Sequence, residues 1–147
     1  MADFVYTIKY PKFDGRIISQ EHILHNGELI PIKVVWDTGS TYTCISTELA
    51  KRLNLSMSDG GNLATSYGKR KSNRCHIDLI LDNDNGGMQL DANVLTNDFI
   101  HEEKVDLLLG MDFIKGGDFA ISEYDGTICF SFRYPSEGFI DFKEQEN

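Results

Sequence analysis

The stretch Asp37-Thr38-Gly39-Ser40 puts a carboxylate at the end of an apolar run, Leu29-Ile30-Pro31-Ile32-Lys33-Val34-Val35-Trp36. An acidic side chain at a buried strand end, followed by a glycine that lets backbone approach backbone or substrate, is a setting for acid–base chemistry. Splitting an amide without metal or covalent intermediate takes one carboxylate to deprotonate water and a second, protonated, to polarise the carbonyl. Two carboxyls held together share one proton, because each raises the energy of ionising the other. The chain offers one such loop. Asp14-Gly15, Asp59-Gly60 and Asp125-Gly126 lack the intervening threonine and read as turn dipeptides. A two-fold axis through the site would supply the second carboxylate as Asp37 of another copy, in an isologous homodimer. Ser40 can donate a hydrogen bond to a carboxylate and favour its ionised form, which predicts an acidic optimum.

Other chemistries find less support. No HExxH or comparable ligand cluster is present, and His22 and His25, three apart on a strand, fall on opposite faces, so neither a metal nor another cofactor is expected. A phosphatase with an aspartate nucleophile would place a second Asp where Gly39 stands, and the required βαβ alternation is missing. Cys44, Cys75 and Cys129 are an odd number without a CxxC pair, against a disulfide framework or structural zinc. Cys44, between Thr43 and Ile45, reads as a packed small side chain. With 14 basic against 23 acidic residues the formal charge is -9, which repels phosphate, so nucleic acid is not an expected partner. Lys69-Arg70-Lys71 with Arg74 reads as a solvated hairpin face. No apolar run approaches the roughly 18 residues of a membrane span, and Met1-Ala2-Asp3-Phe4-Val5 carries no secretory signal, so a soluble cytoplasmic protein is expected.

The elements that must position Asp37 read as mostly β. Phe4-Val5-Tyr6-Thr7-Ile8, Arg16-Ile17-Ile18 and the run ending at Trp36 are rich in β-branched and aromatic residues. Ile77 to Leu81 alternates, as does Met88 to Val94, where Met88, Leu90, Ala92 and Val94 share a face across a polar turn at Asp82 to Gly87. Ser46 is placed to cap a helix from Thr47 to Leu53, and Met111 to Lys115 reads as a helical turn stopped by Gly116-Gly117. Asp125-Gly126 between Phe119-Ala120-Ile121 and Ile128 to Phe132 signals a hairpin. At 147 residues, with no linker or repeat, one domain over 1–147 is expected. Its motif-bearing part is about 29–134, and the acidic tail 135–147 is expected to fray.

Val34-Val35-Trp36-Asp37-Thr38-Gly39-Ser40 and, later, Leu107-Leu108-Leu109-Gly110-Met111-Asp112-Phe113 together resemble the retropepsins, single-domain dimeric aspartic peptidases of retroviruses with cellular and bacterial relatives. The pattern is nearer to bacterial retropepsin-like domains. The resemblance implies a closed β-barrel of the acid-protease fold, with one or two short helices, a flap hairpin and a polypeptide substrate. It implies that Asp37 is catalytic and that Thr38 bonds across the dimer axis to main chain of the partner loop. The Gly39 carbonyl would accept a substrate amide, and Ser40, Leu108 and Leu109 would line substrate pockets. Gly110 would support the loop from behind. The flap falls at Leu63 to Arg70, with Tyr67-Gly68-Lys69 at its tip. Met111 stands where many retroviral members have an arginine that braces the dimer, and their terminal interface strands are not recognisable, so the hairpin ending at Tyr134 is expected to replace them. A silent barrel that binds peptides or dimerises without cleaving them is the alternative function.

Overall fold

The computed structural model describes residues 3–65, 68–83 and 86–145. Strands dominate, and period-two burial explains why each forms. β1 (Phe4–Tyr10) turns Phe4 and Tyr6 inward and Val5, Thr7 and Lys9 outward. β2 (Ile17–His25) buries Ile17, Ser19, Glu21 and Ile23, and β3 (Glu28–Trp36) buries Ile32, Val34 and Trp36. Asn26 and Gly27 join β2 to β3 with φ of 50° and 78°, the left-handed pair of a tight hairpin turn. β4 (Cys44–Ser46) runs into α1 (Thr47–Arg52), where Leu49 N–H donates to Ser46 Oγ at 3.1 Å, the expected cap.

β5 (Ser58–Thr65), β6 (Gly68–Asn83) and β7 (Gly86–Asn97) form a meander, and β7 keeps Met88, Leu90, Ala92 and Val94 on its inward face as expected. A 3-10 turn (Ile100–Glu103) leads to β8 (Leu107–Leu109), α2 (Met111–Ile114), β9 (Asp118–Tyr124), β10 (Thr127–Tyr134) and α3 (Phe142–Gln145). Asp125 and Gly126, both at positive φ, turn β9 into β10 as expected.

The order β2-β3-β8-β4-β7-β6 is closed by pairing of β2 with β6, His22 opposite Ile80, so six strands form a barrel. β5 extends beyond it on β6 alone. β8 lies parallel to β3 and antiparallel to β4, between the strand that leads to Asp37 and the strand that leaves its loop.

A second sheet, β1-β10-β9, packs on the end of β3, with Phe4 opposite Tyr134 at one end of its ladder. Trp36 packs its ring, tilted, 4.9 Å from that of Phe130 and 5.1 Å from that of Phe132, both buried. Truncating either phenylalanine to Ala would cost about 3–5 kcal/mol. This cluster anchors the residue just before Asp37. The start of the tail makes contacts with β9 and β10. The Ser136 hydroxyl, Glu137 N–H and Arg133 guanidinium hold the Asp118 carboxyl down to about 2. α3 then adds one helical turn, and Phe139 and Phe142 are exposed.

Candidate active site

The loop after β3 is defined by hydrogen bonds at both ends. Asp37 N–H donates to Leu109 O at 2.9 Å, continuing the parallel β3–β8 pairing by one residue. Gly39 N–H donates to Asp37 Oδ1 at 2.8 Å, and Ser40 N–H closes the turn on Asp37 O at 3.2 Å. A Cβ on Gly39 would stand 3.1 Å from that same Oδ1, so the glycine leaves the carboxylate room. Thr38 is exposed at the apex and makes no hydrogen bond within the described protomer. The Ser40 hydroxyl donates to Tyr42 O at 2.9 Å rather than to a carboxylate. This short loop offers the hydroxyl a nearer carbonyl, so the expected bond from Ser40 to a carboxylate, and with it that basis for an acidic optimum, is absent.

Gly110 and the residues after it brace the loop from behind. Met111 N–H donates to Ser40 O at 2.7 Å and Asp112 N–H to Thr41 O at 3.1 Å. A Cβ on Gly110 would sit 2.7 Å from both the carbonyl carbon and oxygen of Tyr42, which is backbone and cannot swing aside. Asp112, to which no local sequence pattern assigns a role, ties the loop to this segment. Its carboxylate accepts Thr43 N–H at 3.0 Å and Thr43 Oγ1 at 2.7 Å, while Thr43 Oγ1 in turn accepts Gly110 N–H at 3.1 Å. Burial, and then the Asp112 charge, push the Cys44 thiol up to about 12, so Cys44 is a packed, unreactive side chain.

Asp37 opens onto a cleft of about 590 Å3 whose walls include Leu63, Thr65, Phe99, Ile100, Glu103 and Leu108. Leu109 is not part of it. Successive strand residues point to opposite faces, so Leu108 faces the cleft while Leu109, 1% exposed, faces the core and a separate apolar cavity of about 270 Å3 beside Phe113. The β5–β6 hairpin overhangs the cleft. Thr65 Oγ1 donates to Gly68 O at 2.7 Å, and Gly68, at φ 103°, holds a conformation other residues resist. Tyr67 lies outside the described residues. Lys69, Arg70, Lys71 and Arg74 are exposed, and Arg70 sits 5.4 Å above the Phe99 ring.

Two further polar groupings lie away from Asp37. Glu21 is 1% exposed, accepts Tyr6 OH at 2.9 Å and Asp82 N–H at 3.1 Å, and has its carboxyl raised by burial. Its parity with Ile17, Ser19 and Ile23 was the sequence signal for that burial. On the outer face, His76 Nε2 lies 2.6 Å from Asp91 Oδ1 and 3.7 Å from Asp78 Oδ1, an exposed group whose ligand atoms are close enough together to hold a cation.

Residues 23–116, a span that takes in the loop, the cleft and its backing segment, match the family described as gag-polyprotein putative aspartyl protease. The chain belongs to that family. No curated protein matches it. Among solved structures it is similar to a retropepsin-like aspartic protease from Rickettsia conorii, with a TM-score of 0.59 at 14% identity over 89% of this chain and 94% of that one. It is also similar to the EIAV protease complexed with the inhibitor HBY-793, with a TM-score of 0.55 at 16% identity over 71% and 89% of the two chains. The fold is thus retropepsin-like, with a bacterial example among its likenesses, as the sequence pattern implied.

Proposed function

We propose that the chain is an aspartic endopeptidase that hydrolyses polypeptides as a homodimer, with residues 1–147 acting as one unit and Asp37 of each subunit forming the catalytic pair. The observation that carries this reading is the setting of Asp37. One oxygen is fixed by Gly39 N–H, and its loop is locked to β8 and α2 beneath a hairpin-covered cleft. One carboxylate takes a proton from water while the other, protonated, polarises the scissile carbonyl. Thr38 reaches across the axis, which fits its exposed and unbonded state in the protomer. The Gly39 carbonyl, Ser40, Leu108 and the hairpin tip around Gly68 and Tyr67 contact substrate, and Gly110 keeps the loop in place. Leu109 acts from the core. The pair must keep one proton, so activity falls on the alkaline side. Three unpaired cysteines suit a reducing compartment such as the cytoplasm.

Subunit mixing tests both carboxylates at once. If wild-type and Asp37→Asn chains exchange and pair at random, an equal mixture keeps about a quarter of the wild-type activity at equal total concentration. A self-sufficient monomer would keep half. Asp37→Asn alone should lose at least about a thousandfold in kcat while melting like wild type. Peptide binding without Asp37-dependent cleavage would replace this reading with that of a silent binding module.

A further inference from the structure

The walls of the Asp37 cleft include a second acidic residue, exposed Glu103, that the proposed reaction does not use. Glu103, the last residue of the 3-10 turn, lines the same cavity as Asp37, Leu63, Ile100 and Leu108. Its backbone carbonyl accepts Arg16 Nη1 at 3.0 Å, which fixes the residue on the cleft wall. Its carboxylate has no hydrogen bond or ion pair among the described residues.

Two arginines close to the cleft, Arg16 and Arg70, are engaged elsewhere. The Arg16 guanidinium is shared between the Glu103 carbonyl and Asp14, 3.7 Å away. Arg70 lies over the Phe99 ring and donates to Lys69 O at 3.2 Å. Neither arginine lines the cavity, and its only charged walls among the described residues are Asp37 and Glu103. A cleft with walls of one charge sign draws ligands of the other.

We infer that Glu103 is a specificity-determining residue, through which the cleft selects polypeptides carrying a lysine or arginine side chain near the scissile bond. This rests on the peptidase reading given above. The cation pairs with the Glu103 carboxylate while neighbouring apolar side chains pack on Leu63, Ile100 and Leu108. Arginine is favoured over lysine where its planar fork can meet both oxygens. In a two-fold dimer the carboxylate is repeated, so the preference falls on both sides of the cut bond.

Two measurements test this. In cleavage profiling on a diverse peptide mixture, wild-type protein should prefer Lys or Arg over Gln by about fivefold in kcat/KM at a flanking position, the size of a solvent-exposed ion pair. Glu103→Gln should abolish the preference and Glu103→Lys should turn it towards Asp and Glu. In the second arm, statine-containing peptides that differ only in one Lys, Gln or Glu are titrated calorimetrically into wild-type and Glu103→Gln protein. The Lys peptide should bind wild type tightest, with the advantage lost in the variant and reduced by high salt. Equal affinities for the three peptides, or a preference that survives Glu103→Gln, would overturn the inference and leave Asp37-dependent cleavage standing. Lysine-selective binding without Asp37-dependent cleavage would keep the inference and sink the peptidase reading. No binding of any peptide at millimolar concentration would overturn both.

Discussion

The floor and the roof of the cleft are built by opposite means. On the floor, residues 37–43 form hydrogen bonds to β8 and α2 through Leu109 O, Met111 N–H, Asp112 N–H, the Asp112 carboxylate and Gly110 N–H, and Thr43 to Ser46 are all buried. In the roof, β5 pairs only with β6, and most of its side chains from Ser58 to Thr65 are exposed. Only Leu63 packs on the small apolar group of Cys44, Ile100, Val105 and Leu108. A group that must hold one geometry is thus over-determined, while a segment that must admit and then cover a chain is held mainly by its own ladder.

The contrast is broken most sharply at Gly110. Gly110→Ala forces a methyl into the Tyr42 carbonyl and should destabilise the protein by about 2–3 kcal/mol, as read by chemical denaturation. It should also disable cleavage by displacing the loop. A variant that melts like wild type would show that the floor is softer than its contacts imply. Asp112→Ala is next, because it leaves the Thr43 N–H and hydroxyl without their acceptor. About 2 kcal/mol should be lost, with Asp112→Asn recovering part of it.

Glu21 sharpens the comparison through pH, because it braces the barrel beneath the N-terminal strand and lies outside both regions. Burial raises its carboxyl, so the folded state holds a proton that the unfolded chain releases. Its contribution to stability is full below the ordinary value of 4.5 and is lost as pH rises through the raised folded value. Melting curves from pH 4 to 8 should therefore flatten in Glu21→Gln, and an unchanged slope would mean that other groups dominate. The smallest effect belongs to the roof. Thr65→Val removes the bond to Gly68 O and should change global stability by less than about 1 kcal/mol while raising KM. Hydrogen exchange in residues 58–65 and 68–76 should be fast in the free protein and slow when a statine-type peptide binds. Equal exchange in the two states would make the hairpin a fixed wall.

Much of the floor was legible in the sequence because its signals are local. A carboxylate at the end of an apolar strand, a glycine that admits the chain and a second apolar run ending in Gly110 are each readable within seven residues. The Ser46 cap and the Asp125-Gly126 turn are of the same kind. Leu108 and Leu109 were both assigned to substrate from the motif, and strand alternation puts Leu108 on the cleft side and Leu109 on the core side. Asp112 could not be given its role, since its partner Thr43 lies across β8 and no local pattern announces that contact.

The sequence by itself determined most of the strands and helix α1, the apolar face of each, and a single carboxylate-bearing loop at the end of β3. The tertiary structure alone decided the closure of β2 on β6, the insertion of β8 between β3 and β4, and the pairing of β1 with β10 from opposite ends of the chain. The same closure buries Glu21 against Tyr6 and brings Glu103 to the cleft that Asp37 lines. The division has a physical cause. Alternation and capping depend on neighbours a few residues away, whereas the choice of strand partner depends on the packing of the whole core, and any edge with the right alternation could pair until the rest of the barrel excludes it.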